Sequence, residues 1–410
     1  MPAHDAPSLK PALPRWQLAV YGLGTILGTG IYVVVGKVAG EAGALAPVSF
    51  LVAAVAAALT ALSYAELSAR FPESGGSAAF IDHGFGRRWL TSVAGWALIA
   101  TGLVSAATSA NGFAGYLGVF VDLPPAIVVP AAVLALTLVA AKGVEEAAWF
   151  MLVTTALEVL GLVIVIVFAG GALSGYPEAA RDALAAGSPG ALSGGILLGA
   201  VLAFYAFIGF EDLATLSEEA DDAPRAMPFA IVVSLTLALC FYLVIAAIAV
   251  SAVEVEALRD SEAPLADVVA SNGGPARLLA IIGLATILNG ALAQIVMAAR
   301  VVHDLGARRG GAPAWLAAIH PRTRTPVAAT LLSGAIVVAL ALAFPIATLA
   351  AGTSILILLI FAAACIALLL VKARGEPAGE GVRTWPAAVP ALGALSCLGL
   401  VAAQTLAALG

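Results

Sequence analysis

Charge is what this 410-residue sequence lacks most: Asp, Glu, Lys and Arg together make 11% of it. Ordinary soluble domains carry about 25%, so a water-facing surface over a chain this long is not available. Aromatic residues are also few, at 7%, while Ala, Val, Ile, Leu and their apolar companions reach 62%. A soluble enzyme, a nucleic-acid binder and a disordered chain are excluded by that balance. The three cysteines, Cys240, Cys365 and Cys397, are an odd number, lie in apolar runs and have no paired spacing. Neither a disulfide framework nor a zinc site follows from them. The four histidines are scattered through polar segments, so no metal cluster is expected.

What the chain does have is long apolar runs. A helix crossing a bilayer needs about 20 such residues, and eleven runs qualify: 15–39, 45–69, 88–120, 124–141, 147–170, 194–216, 228–251, 276–302, 326–344, 346–371 and 386–409. Each is expected to be helical, because lipid offers the backbone no hydrogen-bond partners and these runs do not alternate as barrel strands do. The first 14 residues are polar and proline-rich, without the pattern of a cleaved signal, so the first run is expected to stay as a span. With the N-terminus in the cytoplasm, only Lys37, Arg181, Arg259 and Arg277 of the 19 Lys and Arg fall outside. The positive-inside rule therefore expects a multi-pass protein of the inner (plasma) membrane, N-terminus cytoplasmic and C-terminus outside. The outer segments 172–193 and 252–275 are the longest on their side; the second reads equally as a short helix over the outer mouth or as a solvated connector.

Two runs are interrupted by glycine at matching places. The first contains Gly22, Gly24, Gly28 and Gly30 within YGLGTILGTGIYVVVG; the sixth, LAFYAFIGFEDLATLSEEA, sets Gly209 mid-membrane and follows it with Glu211 and Asp212. Runs one and six each open a block of five. Five is odd, so a second block must sit upside-down relative to the first, the inverted-repeat plan of many secondary transporters. The other reading of such glycines is close helix packing. An unwound Gly28-Thr29-Gly30 would expose N–H groups at the positive end of the next half-helix, where a carboxylate binds. Unpaired carbonyls near Ile26 and around Phe204–Phe207 would accept an ammonium. A zwitterion such as an α-amino acid suits that pair, with Tyr205, Phe207 and Ile208 as apolar wall or lid; plain packing is the ordinary role of each aromatic.

Four segments, GTILGTGIYVVVGKVAG, SYAELSARFPESGGSAAF, FYAFIGFEDLATLSEEADDAPRAMP and QIVMAARVVHDLGARRGGAPAWLAAIHPRTRTPVAAT, resemble in order and spacing the amino acid–polyamine–organocation (APC) superfamily. The likeness is to bacterial amino acid permeases near the cationic amino acid transporter branch and covers about residues 15–371. It implies an all-α polytopic membrane protein with a five-plus-five inverted-repeat (LeuT-type) core, broken helices 1 and 6, and about eleven transmembrane helices. Residues 1–14 would be a cytoplasmic tail, 15–170 the first repeat, 171–371 the second, and 372–410 a loop with an additional C-terminal helix. By similarity Ile26, Thr29, Gly30, Tyr205 and Ile208 match substrate-contacting positions. Gly28, Phe204, Phe207 and Gly209 complete the expected binding set. Many relatives have twelve spans, and this chain is expected to stop after eleven.

Charge at bilayer depth costs at least ~2.5–3.5 kcal/mol, so each instance asks for a reason. Glu158 lies about a dozen residues into span five among apolar neighbours, where burial favours the neutral form. Several proton-coupled relatives carry a lysine at what looks like this position, where it stands in for a sodium ion. Glu158 is thus expected to take and release a proton, to help bind a cation such as sodium, or merely to bond a neighbouring helix. Glu211 and Asp212 are expected to gate or cap the inner half-helix. Glu66 is four residues before Arg70, a spacing for a helix-surface ion pair, and Glu218, Glu219, Asp221, Asp222 and Arg225 form a solvated or gating run. Asn111, Asn289 and Gln294 are expected to bond between helices, with Asn289 facing the cavity as the lesser alternative, and no acid in span three or outer span one obviously awaits a cationic side chain, which favours a small or neutral substrate. The resulting expectation is a secondary active amino acid transporter working by alternating access as a proton-coupled symporter, with an exchanger of amino acids or polyamines as alternative and a channel or sensor as the other class. Its partners are the amino acid and the lipid bilayer, without nucleic acid or cofactor, and it is expected to work as a monomer.

Overall fold

A computed structural model of the chain describes residues 13–72, 76–142, 147–308, 312–321, 323 and 325–409. Apart from Leu13 and Pro14, the expected N-terminal tail lies outside the described residues. Among them the regular structure is helical, with one isolated bridge, Leu13 to Ala220. The first half contains α1 (Arg15–Ala42), α2 (Ala46–Arg70), α3 (Gly76–Phe85), α4 (Arg88–Gly118), α5 (Pro125–Lys142), α6 (Ala147–Ala169), α7 (Tyr176–Ala186) and α8 (Pro189–Phe204). The second contains α9 (Ala223–Ala252), α10 (Val255–Asp260), α11 (Pro264–Ser271), α12 (Ala276–Arg308), α13 (Ala314–Ala317), α14 (Val327–Ala343), α15 (Ile346–Ala373) and α16 (Ala388–Leu409). Each expected apolar run but the sixth overlaps one longer helix, and the sixth, 194–216, is shared between α8 and the 3₁₀ stretches that follow it. Among the described residues, nine segments are long and apolar enough to cross a membrane; the first, Arg15–Arg70, runs through α1 and α2, and the 17-residue α14 is a shorter apolar helix besides.

The packing falls into two hydrophobic cores. The larger is built mainly from α1, α2, α6, α8, α9 and α15, the smaller from α4, α5, α12 and α14. Within the first, α1 packs on α8 and α9 and α2 on α9; within the second, α4 packs along α12 and α5 along α14. Small residues permit these close approaches: a Cβ on Gly84 would run into Ala367, and one on Gly199 into Ser49. Outside the cores α16 lies on α15 and α2 with Leu392, Leu395, Leu398, Leu406 and Leu409 exposed, an apolar exterior that suits a membrane protein.

Two local features depart from the sequence reading, and in the segment 252–275 the helical alternative holds over the plain connector. The connector between the second and third runs contains a helix, α3, which buries Phe80 against Tyr64 with ring centroids 5.6 Å apart. The segment 252–275 forms two short helices, α10 and α11, and Lys37 Nζ ties this segment to α1 by donating to Arg259 O at 2.7 Å and Ser261 O at 3.0 Å. Glu66 is no helix-surface residue. It is fully buried, and Oε1 takes Arg70 Nε at 2.9 Å and Lys372 Nζ at 2.5 Å while Oε2 takes the Trp385 N–H at 2.9 Å. The stretch after α15 folds back over the end of α2 and encloses the pair. Of the charge run before α9, Asp222 and Arg225 form an exposed pair at 3.5 Å; the side chains of Glu218 and Glu219 lie outside the description.

Candidate functional site

Both glycine-rich runs break. α1 leaves helical geometry at Gly28 (φ −30, ψ −138) and resumes at Thr29. After α8 the chain makes a 3₁₀ turn over Tyr205–Phe207, extends at Ile208 and reaches Gly209 with φ +130 before a further 3₁₀ stretch, Asp212–Glu219. That φ suits glycine alone, and a Cβ there would also strike the Thr25 carbonyl.

The two breaks touch. Gly30 lies so close to the Ala206 backbone that no Cβ fits between them. The Thr25 hydroxyl is 3.0 Å from both Gly22 O and Gly209 O, donating its proton to one or the other. Tyr242 on α9 sets its hydroxyl 2.6 Å from Ile26 O and 2.7 Å from Ala206 O, one proton bridging the carbonyls of both breaks.

Between the breaks, at the seam of the two cores, is a cavity of about 90 Å³. α1 lines it with Ile26, Gly28, Thr29 and Gly30, and Gly28 faces open space, with nothing within 4 Å of a Cβ built on it. The second break contributes Tyr205, Ile208 and Asp212, and α6 contributes Glu158. From the smaller core come Ser105 and Ser109 of α4 and Asn289 and Gln294 of α12. Thr29 Oγ1 is 2.9 Å from Ser109 Oγ, and the Tyr205 hydroxyl is 3.1 Å from Ser105 Oγ, so α4 holds one residue of each break by a hydroxyl pair. Glu158 is 1% exposed, and its Oε2 has no hydrogen-bond partner. The lining contains two carboxylates, Glu158 and Asp212, and no Lys, Arg or His.

Several expected residues sit elsewhere. Phe204 and Phe207 are fully buried away from the cavity: Phe204 packs on Phe361 at 6.0 Å, and Phe207 on Tyr242 at 5.1 Å and Phe50 at 6.5 Å. The 3₁₀ turn explains this, because residues three apart eclipse: Tyr205 and Ile208 share the cavity side, Phe204 and Phe207 the opposite one. Gly209 shapes the break without lining the cavity. Glu211 also turns away, its Oε2 accepting the Gly209 N–H at 2.8 Å; the second acid, Asp212, is the one on the cavity. Asn289 lines it as well, the lesser of its two expected placements, and also donates to Thr154 Oγ1 on α6 at 3.5 Å; Gln294, expected between helices, lines it too, whereas Asn111 bridges helices, donating to Ala341 O at 2.9 Å. Ser105, Ser109 and Tyr242 were not singled out in the sequence. The i, i+4 spacing of Ser105 and Ser109 in an apolar run was a legible sign of a polar stripe; Tyr242 gave none.

A family model described as "Amino acid permease" matches residues 13–408. The chain is 30% identical over 392 residues to cationic amino acid transporter 4, vacuolar, of Arabidopsis thaliana, covering 90% of this chain and 64% of that protein. It is similar to an uncharacterized transporter of Mycobacterium tuberculosis, with 33% identity over 334 residues, 81% of this chain and 74% of the other. It is also similar to the branched-chain amino acid permease BcaP of Bacillus subtilis, with 28% identity over 423 residues, 96% of this chain and 88% of the other. The chain thus spans less than two thirds of the length of the plant relative.

Proposed function

The chain belongs to the amino acid permease family of the APC superfamily, and on that premise we propose that it is a secondary active transporter carrying small amino acids across the membrane by alternating access. The family is one of transporters, not enzymes. The observation that carries the reading is the meeting of two broken helices around one small cavity at the seam between two cores. The N–H groups of Thr29 and Gly30 open the second half of α1 and bind the substrate carboxylate at the positive end of its dipole. Ile26, Ile208 and Tyr205 contact its side chain, with Gly28 leaving the space. A dry cavity of about 150 Å³ accepts benzene, so the 90 Å³ present here favours glycine, alanine or serine over bulky side chains.

We read residues 15–170 and 171–371 as two inverted five-helix repeats, followed by the addition 372–410, making eleven crossings in all. Packing supports this: helices five crossings apart lie on one another, α1 on α8, α2 on α9, α4 on α12 and α5 on α14. The two cores then rock about the cavity, opening it to one side at a time. The excess of Lys and Arg supports a cytoplasmic N-terminus in a plasma membrane.

Glu158 is the coupling residue of this reading. A buried carboxylate with one oxygen unpartnered and no basic side chain beside it on the cavity lining is costly unless it carries a proton. Water admitted on one side lets the proton leave, so loading and release follow the opening of the cavity. Glu211 holds the second break by its bond to Gly209 N, and Asp212 faces the substrate.

The test is purified protein in liposomes, offered labelled amino acids with and without an inward proton gradient. Gradient-driven accumulation is expected. Uptake of none would end the permease reading; gradient-insensitive uptake that needs internal amino acid would replace symport by exchange, and a sodium requirement would replace the proton.

A further inference from the structure

The segment SYAELSARFPESGGSAAF, residues 63–80, contributes none of its described residues to the cavity lining. Its two halves, the end of α2 and the start of α3, meet at Tyr64, which is fully buried. Toward α3 the Tyr64 ring stands edge-on to Phe80 with centroids 5.6 Å apart, and its hydroxyl lies 2.7 Å from Ser77 Oγ. Toward the second break it stands edge-on to Phe210 at 5.7 Å, and toward α15 to Phe361 at 5.2 Å.

Phe210 is the residue after Gly209 and two past Ile208, so it shares the turning point of the break with a cavity residue while being fully buried itself. It lies 5.0 Å from Phe361, and Phe204, at the other shoulder of the break, lies 6.0 Å from the same ring. Both shoulders thus rest on one aromatic cluster. Of its five rings Tyr64 alone carries a hydroxyl, and a buried phenol hydroxyl is costly without a partner. Ser77 in the first turn of α3 supplies that partner.

α3 is fixed at its other end too. Arg374, just after α15, donates to His83 O at 3.0 Å and to Gly84 O, carbonyls of the last helical turn, where a cation is favourable. A Cβ on Gly84 would run into Ala367 of α15. α3 also packs on the 3₁₀ stretch Asp212–Glu219 that follows the break. Close-packed interiors transmit strain from one side chain to the next. A movement of the break that shifts Ile208 therefore loads Phe210, then Tyr64, then α3.

We propose that Tyr64 is a positioning residue for transport. Through Phe210 it holds the second break in the geometry that receives substrate, and through Ser77 it makes that geometry depend on α3.

This rests on the amino acid reading above, and the experiment separates the two. Wild-type protein in liposomes is first offered labelled glycine, L-alanine and L-serine; uptake of none overturns that reading and this proposal together. With uptake in hand, KM and Vmax for the amino acid taken up best are measured in Tyr64→Phe, Ser77→Ala and the double variant. Tyr64→Phe keeps the ring contacts and removes only the hydroxyl. A less populated competent state weakens apparent affinity by the same factor. Both single variants are therefore expected to raise KM about two- to fivefold, the upper figure being the equilibrium factor of one net hydrogen bond, with Vmax retained. The double variant is expected to match the singles, because all three remove one bond. Coupling is reciprocal, so saturating substrate is expected to slow amide exchange in residues 77–85 of the wild type, and less so in either variant. A merely structural loss would lower Vmax through inactive molecules and leave KM unchanged. That pattern overturns the proposal while leaving the amino acid reading in place. So does wild-type KM in both single variants, a double variant whose losses add, or α3 exchange in the wild type that does not respond to substrate.

Discussion

The Thr25 hydroxyl lies 3.0 Å from the carbonyl oxygen of Gly209, 184 residues away in sequence, and so ties the first half of one broken helix to the turning point of the other. The same hydroxyl reaches Gly22 O, the bond an ordinary helical threonine makes to its own backbone. One side chain thus chooses between completing its own helix and joining the two breaks. Thr25→Val keeps the shape and removes that choice. A net hydrogen bond of this kind contributes about 1 kcal/mol, so a lowering of Tm by a few degrees in detergent is expected, with weaker substrate binding. An unchanged Tm would mean that the tie is not formed in solution.

The glycines of the two breaks differ in what a methyl group would meet, and that gives a paired test. At Gly28 a Cβ enters open space beside the cavity. Gly28→Ala is therefore expected to fold with near wild-type Tm and to lose substrate affinity, because the methyl occupies substrate volume. At Gly209 the φ of +130 and the Thr25 carbonyl both oppose a side chain. Gly209→Ala is expected to lose about 1–3 kcal/mol of stability as well as uptake. Gly30 behaves like Gly209, since its missing side chain makes room for the Ala206 backbone and not for substrate. Equal thermal shifts in Gly28→Ala and Gly209→Ala would contradict this assignment.

How much of this was readable beforehand depends on which physical rule governs each feature. The long helices were legible because a lipid-exposed backbone has few alternatives to them. α3 was not, since its ten residues GSAAFIDHGF are too few and too mixed for a span. The breaks were legible in Gly28 and Gly209, but the facing of their neighbours was not. A break resets the helical phase, so counting by 3.6 residues from α8 misplaces Phe207, Glu211 and Asp212. Contacts across the fold, such as Tyr242 to Ile26 and Lys372 to Glu66, leave no local trace because each partner is an ordinary residue in its own helix.

Glu66 gives a stability prediction with an internal control. Its carboxylate is buried and faces Arg70 and Lys372, whose side chains are 7% and 14% exposed. Removing one member of a buried charge cluster leaves the others uncompensated, at about 3–5 kcal/mol. Glu66→Ala is expected to lower Tm sharply and to loosen the segment between α15 and α16, read out as faster amide exchange around Trp385. Asp222 pairs with Arg225 at 3.5 Å with both side chains largely in solvent, and exposed pairs contribute about 0–1 kcal/mol. Asp222→Ala is therefore expected to leave Tm almost unmoved. Similar losses in both variants would mean that the enclosure of Glu66 is incomplete.

The coupling role of Glu158 is tested by the isosteric amide. Glu158→Gln keeps the size and hydrogen-bonding capacity of the protonated acid and cannot release the proton. If the transporter cycles by loading and unloading that proton, the variant is locked in the loaded form. It is expected to bind substrate with near wild-type affinity and to exchange external for internal amino acid, because exchange does not require an empty, deprotonated carrier to return. Net accumulation driven by an inward proton gradient is expected to fall to background. The two readouts separate a coupling role from a packing role, since a residue that only fills space beside Tyr32, whose hydroxyl donates to the Glu158 carbonyl at 2.9 Å, would affect binding, exchange and accumulation alike. Wild-type accumulation in Glu158→Gln would remove this side chain from the coupling mechanism and leave Asp212 as the remaining carboxylate on the cavity to carry it.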